Sequence, residues 1–100
     1  MIKRALMKRK IKAGCLEEYI KRHDEIQPEL TEEYKRLGIK AISCFINGYD
    51  LYIYSEYDSE YEHLRIPENM PFDIQHQELM QPLMDWSTTE DDFEEVYRME

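Results

Sequence analysis

The spacing of apolar residues changes along the chain, and each spacing predicts a different element. Residues 2–12 alternate imperfectly between apolar and basic side chains, which predicts a β-strand. After Gly14 apolar positions recur every three or four residues, which predicts a long helix ending before Gly38, the expected left-handed helix end. Pro28 should kink or restart this helix and lie in a first turn, because proline clashes with a preceding helical turn. The apolar stripe comprises Leu16, Tyr19, Ile20, His23, Ile26, Leu30, Tyr34 and Leu37.

The period then changes to two, which predicts an antiparallel hairpin of strands 39–46 and 49–57. Asn47-Gly48 divides the two strands, and this dipeptide suits the two positive-φ positions of a type I′ turn. The sequence therefore predicts a tight hairpin with Asn47 and Gly48 in its turn.

The last third of the chain predicts a second helix and a final strand. Residues 59–62, Ser-Glu-Tyr-Glu, fit a capping box at the start of a short helical piece. A longer helix is predicted over 72–84, then an acidic loop, then a strand over 93–99. The order strand, helix, strand, strand, helix, strand is that of the α+β ferredoxin-like fold, βαββαβ. In that topology the basic first strand lies beside the last one, where Glu94 and Glu95 would match its charge.

Composition predicts one folded domain spanning residues 1–100, because 100 residues that are 42% hydrophobic suffice for one core and not for two. The formal charge of -9 argues against binding to nucleic acid or an anionic membrane. Neither a signal peptide nor a membrane span is predicted, so we expect a soluble, cytoplasmic protein. The N-terminal basic cluster is interpreted as a charge match inside the protein, with a ligand-binding patch as the alternative.

No sequence motif indicates a metal or a cofactor. The three histidines are far apart, and Cys15 and Cys44 have neither zinc nor redox-motif spacing, so two reduced thiols are expected. Glycine-rich phosphate loops and nucleophile motifs are also absent.

Tyr19 and His23 are the candidates for chemistry. Residues four apart project from the same helix face, so a phenol and an imidazole should lie side by side on the buried stripe and face one cavity. Imidazole titrates near neutral pH, as general acid–base catalysis requires. The alternative is a core histidine whose two nitrogens are both satisfied by backbone groups.

The tyrosines of the second hairpin strand predict a homodimer. Tyr52 and Tyr54 share one strand face, and two helices can cover only one side of a four-stranded sheet. The other side is expected to pack against a second copy.

The helix sequence at 17–30, Glu-Glu-Tyr-Ile-Lys-Arg-His-Asp-Glu-Ile-Gln-Pro-Glu-Leu, resembles the L-rhamnose mutarotase family. Leu37-Gly38, Cys44-Phe45, Met80 with Met84, and the Glu-Glu-Val-Tyr near the C-terminus extend the resemblance over essentially the whole chain. The family usually has a tyrosine where Ile42 falls, a Trp-Trp pair where His76-Gln77 falls, and often a tryptophan where Gln27 falls. This chain therefore resembles a divergent member that lacks the Trp-Trp pair.

The resemblance implies a dimeric α+β barrel that interconverts the anomers of a 6-deoxyhexose such as L-rhamnose without cofactor or metal. It implies that His23 is the proton donor and that Tyr19 contacts the sugar. His76 stands in the position of a pocket tryptophan and is a candidate substrate-binding residue, or else a surface histidine within a polar helix run. Because the aromatic residues are missing, a non-catalytic small-molecule-binding or dimeric interaction module on the same scaffold is the alternative.

Overall fold

A computed structural model of the protein describes all residues, 1–100. Four strands form one antiparallel sheet in the order β2-β3-β1-β4, and the helices lie against one of its faces. The strands are β1 (Ile2–Ile11), β2 (Ile39–Asn47), β3 (Asp50–Asp58) and β4 (Met84–Glu90), and the α-helices are α1 (Leu16–Asp24), α2 (Pro28–Arg36) and α3 (Pro71–Met80). The order of elements and the neighbouring first and last strands confirm the ferredoxin-like α+β prediction. None of the helices has the length and apolar character needed to cross a lipid bilayer.

The predicted break in the long helix is confirmed at Pro28. Pro28 begins α2 in the first turn, with Gln27 as the extended residue before it. A proline needs no hydrogen-bond acceptor there, since the first backbone N–H groups of a helix have no partner within it. Gly38 follows the end of α2 with a φ of 81°, the left-handed conformation predicted for it.

The hairpin is confirmed, although its turn type was wrong. Asn47 and Asp50 pair as the last residues of β2 and the first of β3, so the loop consists of Gly48 and Tyr49. Gly48 has a φ of 63° and no non-glycine residue has a positive φ, which fits a type II′ turn and excludes type I′. The one-residue shift places glycine at the position that demands positive φ.

The final strand was predicted in the wrong place. It spans Met84–Glu90, immediately after α3 and a short 3₁₀ turn at Gln81–Leu83, whereas residues 93–99 form no strand. The helix therefore ends at Met80, before Pro82, and not at 84. Strand pairing depends on a free backbone edge, and the edge of β1 is occupied by β4, for example at Ile11 opposite Met84.

The start of the helical piece after β3 also differs from the prediction. Its N-terminal residue is Asp58, whose carboxylate accepts the backbone N–H of Glu60 at 3.0 Å, so Ser59 does not form the predicted capping box. The piece is a 3₁₀ helix, Ser59–Leu64. Aspartate performs the same chemistry as serine at this position, accepting an orphan amide.

The hydrophobic core lies between the sheet and the helices. Leu51 of β3 is fully buried, at 0% exposure, and packs in one cluster with Ile11 and Tyr19. Met80, Leu83 and Met84 complete that cluster from the second half of the chain. Through it, α1 and α3 meet over the same part of the sheet.

The opposite face of the sheet, here called the open face, carries a row of large side chains. By strand register it includes Leu6 opposite Tyr54, and Lys8 and Phe45 on either side of Tyr52. Phe45 is 62% exposed. The prediction that Tyr52 and Tyr54 share a face is confirmed by this register.

The C-terminal residues 91–100 join this face through ion pairs and not through a strand ladder. Arg4 and Glu56 lie opposite each other on β1 and β3. Arg4 donates two hydrogen bonds to Glu95, at 2.7 and 3.0 Å, and Arg98 lies 4.0 Å from Glu56. The expected match between basic and acidic ends therefore occurs side chain to side chain.

Candidate functional site

Helix α1 brings Tyr19 and His23, one turn apart, together on the side of the helix that faces the sheet. Their ring centroids are 4.4 Å apart, with the planes inclined by 39°. Tyr19 is 4% exposed and anchors the pair in the core, whereas His23 is only half-buried. The side-by-side arrangement predicted from the four-residue spacing is present.

The hydrogen-bond partners of His23 define its neutral tautomer. His23 Nδ1 lies 3.3 Å from the backbone oxygen of Tyr19, which can only accept, so Nδ1 carries the proton. Nε2 then accepts, and two donors are within reach: Tyr19 Oη at 3.4 Å and Cys44 Sγ at 3.9 Å. Only one nitrogen is held by backbone, so His23 is not a sealed core histidine. When Nε2 gains a proton, it becomes a donor on this side of the ring.

Burial keeps the groups around Nε2 protonated. Desolvation, with a smaller contribution from Cys44, raises the pKa of the Tyr19 phenol well above its ordinary value. Desolvation likewise raises the pKa of the Cys44 thiol. Both groups are therefore neutral donors at neutral pH, and neither competes with His23 as a base.

His76 of α3 completes an imidazole pair. Its ring lies edge-on to that of His23, with centroids 5.8 Å apart and planes at 84°. Burial first, and the proximity of His23 second, lower the pKa of His76, while Asp73 one turn earlier opposes the shift. The structure thus brings together all three residues singled out in the sequence, across more than fifty positions of the chain.

A cleft of about 330 Å³ opens between the α1–α2 junction and α3. His76 lines this cleft, but Tyr19 and His23 do not, because they lie on the sheet side of α1. Ligand pockets in proteins start at roughly this size, about 300 Å³. The polar side chains that line it are Glu18, Arg22, Glu25, Gln27, Gln75 and His76.

Arg22 crosses the mouth of this cleft. Its guanidinium donates to the carbonyl oxygen of Leu79 on α3 and, through Nε, to Glu18 at 2.9 Å. The cleft therefore offers carboxylates, amides and one imidazole, which are groups that bind hydroxyls.

Ile42, Gln27 and Gln77, at which a departure from the family is expected from the sequence, lie near His23 and the cleft. Ile42 shares the helix-facing side of β2 with Cys44 and is 42% exposed. Gln27 lines the cleft, and Gln77 donates to Asp73 at 3.4 Å. Aliphatic and amide side chains thus occupy these three positions.

Glu33 was missed by the sequence reasoning. It is fully buried, at 0% exposure, and its carboxylate accepts the backbone N–H groups of Phe72 at 3.0 Å and Asp73 at 2.7 Å. These are early N–H groups of α3, which have no partner within the helix. A signal was available, since Glu33 falls three residues after Leu30 on the buried stripe of α2.

Tyr34 and Asp73 form a second contact between α2 and α3. Tyr34 Oη donates to Asp73 Oδ1 at 2.6 Å. Burial and then this hydrogen bond raise the pKa of the Tyr34 phenol. Together with Glu33, the contact fixes the start of α3 and, one turn later, His76. No cluster of three or more His, Cys, Asp or Glu side chains is placed to hold a metal ion.

Comparison with known proteins identifies the family. A model of the L-rhamnose mutarotase family matches residues 4–100. The crystal structure of an L-rhamnose mutarotase from Formosa agariphila is similar, with 25% identity, a TM-score of 0.74, and coverage of 98% of this chain and 99% of that chain. No curated protein sequence matches the chain.

Two further solved structures share the fold at lower identity. A dimeric ferredoxin-like protein from an uncultured marine organism has 15% identity and a TM-score of 0.65, covering 96% of this chain and 91% of that chain. A nipsnap family protein from Agrobacterium tumefaciens has 13% identity and a TM-score of 0.61, covering 92% of this chain and 84% of that chain. Identities this low support the fold alone.

Proposed function

We propose that this chain, which belongs to the L-rhamnose mutarotase family, interconverts the α and β anomers of a 6-deoxyhexose such as L-rhamnose by general acid–base catalysis. The observation that carries the proposal is the Tyr19–His23 pair, in which Nε2 of a half-buried imidazole is free of backbone partners. Imidazole is the side-chain group used most often for general acid–base catalysis.

The reaction needs one proton delivered and one removed. His23 acts in its imidazolium form, protonated at both nitrogens, and donates the Nε2 proton to the ring oxygen while the anomeric hydroxyl loses its proton to a second group or to water. The bond between the anomeric carbon and the ring oxygen breaks, and an open-chain aldehyde forms. Rotation about the adjacent carbon–carbon bond followed by the reverse transfers closes the ring as the other anomer and restores His23.

Anomer exchange requires only acidic and basic groups held in position against the sugar. General acid–base catalysis contributes about 10²–10⁴-fold, and holding the sugar in the reactive orientation adds to it. Tyr19 is proposed to contact the sugar through its phenol, which burial keeps protonated and thus a hydrogen-bond donor. His76 is proposed as a further sugar contact, supported by its place between His23 and the cleft.

The test is anomer exchange measured by polarimetry or by NMR saturation transfer on L-rhamnose, other 6-deoxyhexoses and common hexoses. We expect acceleration over buffer that His23→Ala abolishes. His63→Ala is the matched control, because His63 is an exposed histidine in the 3₁₀ helix after β3. Exchange at the buffer rate with every sugar would refute the enzyme proposal.

We also propose a homodimer formed through the open face. The exposed Phe45, together with the partly exposed Tyr52, Tyr54 and Leu6, offers an apolar surface that the helices do not cover. A solved structure with the same fold is that of a dimeric ferredoxin-like protein, which supports a dimer without indicating the face. Light scattering at micromolar concentration should give twice the 12.2 kDa chain mass, and Phe45→Lys should shift it towards the monomer.

A non-catalytic sugar-binding or interaction module is the second candidate function. The observation that favours it is the absence of aromatic residues at Ile42 and Gln77, together with the polar lining of the cleft. Saturable binding of a sugar without any change in the rate of anomer exchange would establish it in place of the enzyme.

A further inference from the structure

We propose that His76 is the base that works opposite His23 and that Asp73 is the residue that positions it. This inference rests on the mutarotase activity proposed above and names the group that removes the anomeric proton.

The distance between the two imidazoles is compatible with one ring acting as the acid and the other as the base. Mutarotation requires an acid at the ring oxygen and a base at the anomeric hydroxyl, and both oxygens are bonded to the same carbon. The two rings stand edge-on with centroids 5.8 Å apart, one from α1 and one from α3. The two rings are therefore adjacent, with His76 on the cleft wall and His23 beside it toward the sheet, and this proximity is what bifunctional catalysis on one sugar needs.

The charges around His76 favour the neutral, proton-accepting form. Two imidazoles this close are disfavoured as a doubly charged pair, so the first proton taken up discourages the second. Burial and His23 lower the pKa of His76, which leaves its ring unprotonated at neutral pH. The titratable or charged groups that line the cleft with His76 are Glu18 and Arg22 of α1 and Glu25, the residue that follows α1. Asp73, one turn earlier on α3, contacts Glu33 and Tyr34 of α2, and Cys44 of β2 contacts His23.

Asp73, three residues before His76, is held in place by two hydrogen bonds to α2. Its backbone N–H donates to Glu33 at 2.7 Å, and its Oδ1 accepts from Tyr34 at 2.6 Å. Residues three apart on a helix are neighbours, so the charge of Asp73 acts on the imidazole and opposes the fall in the pKa of His76 that burial causes. A base whose pKa fell too far could not hold the proton it removes.

The proton balance closes without any further reactant. Neutral His76 takes the anomeric hydroxyl proton, the bond between the anomeric carbon and the ring oxygen breaks, and the His23 imidazolium gives its Nε2 proton to the ring oxygen. After rotation the ring hydroxyl returns its proton to His23, and His76 returns its own to the new anomeric oxygen. Both residues end in their starting states.

The first experiment separates the base from a structural residue. His76→Gln should lower kcat for anomer exchange about 10²-fold while KM changes less than about threefold, since the amide keeps a polar contact but takes no proton. His63→Gln, an exposed histidine elsewhere, is the matched control and should leave both values unchanged. Wild-type kcat in His76→Gln would overturn the inference and leave the proposed mutarotase activity standing.

The second experiment tests Asp73 through pH. Asp73→Asn keeps an oxygen for the Tyr34 hydroxyl but removes the charge, so the acid limb of the kcat profile and the NMR titration of the His76 ring should both move to lower pH. A merely structural role predicts no such shift, so unmoved curves would overturn the assignment of Asp73. If the wild type itself accelerates no sugar, the activity and the base role fail together, and that result is distinct from failure of the His76 variant alone.

Discussion

Glu33 offers the sharpest test of how this fold is held together. Its carboxylate is fully buried and accepts the N–H groups of Phe72 and Asp73 at the start of α3, with no cation paired to it. Replacing it with alanine leaves two amides of the first turn without acceptors and removes a negative charge from the positive end of a helix dipole. The substitution should therefore destabilise the whole protein and loosen α3 in particular.

The magnitude follows from the two hydrogen bonds. A hydrogen bond to a charged group contributes roughly 1.5–3 kcal/mol, so two contribute roughly 3–6 kcal/mol. Desolvation of the carboxylate and water entering the vacated space offset part of this, which leaves a loss of about 3 kcal/mol for Glu33→Ala. In a domain of this size that corresponds to a fall in Tm of about 12–24 °C. Glu33→Gln keeps one acceptor oxygen and should lose about 2 kcal/mol.

Urea unfolding followed by circular dichroism measures these losses in the free energy of unfolding. All variants are compared at one protein concentration, because the stability of a dimer depends on concentration. Glu32→Gln is the matched control, because Glu32 is the exposed neighbour on the same helix and accepts nothing from α3. If Glu33→Gln unfolds within about 0.5 kcal/mol of the wild type, the two hydrogen bonds do not hold α3 and the reasoning is wrong.

Three further outcomes are expected. Burial and the hydrogen bond to Asp73 raise the pKa of the Tyr34 phenol. The contribution of Tyr34 to the free energy of unfolding is therefore complete below about pH 10, the ordinary tyrosine pKa, and is lost as pH rises above that value. In urea titrations at pH 8 and pH 11, Tyr34→Phe should reduce this alkaline loss of stability. Gly38→Ala should lower Tm, because φ is 81° and the added Cβ would meet Tyr61 Cβ at 2.6 Å; a Tm equal to the wild type would contradict this contact. Leu51→Ala should cost roughly 2–5 kcal/mol in the same urea assay, since the side chain is fully buried, and a loss below 1 kcal/mol would contradict its central place in the core.

Local patterns determined most of the first half of the chain. The change of period from two to 3.6 and back predicted β1, the helices and the hairpin, and Pro28 and Gly38 predicted the helix break and the helix end. The Tyr19–His23 contact belongs to the same class, because two residues four apart on one helix meet whatever the rest of the chain does. Such features depend only on neighbours in sequence, so the sequence alone suffices for them.

The position of the last strand and the set of residues that meet at the site depend on the tertiary structure and not on local sequence. Residues 93–99 alternate as a strand would, yet the available edge of β1 is taken by Met84–Glu90, whose pattern is weaker. Two segments can compete to pair with the same strand, and the hydrophobic pattern of each segment does not show which one will pair. The meeting of His23 with His76, and the capping of α3 by Glu33, likewise depend on how α1, α2 and α3 pack over one sheet, because packing and not sequence spacing sets distances between residues far apart in the chain.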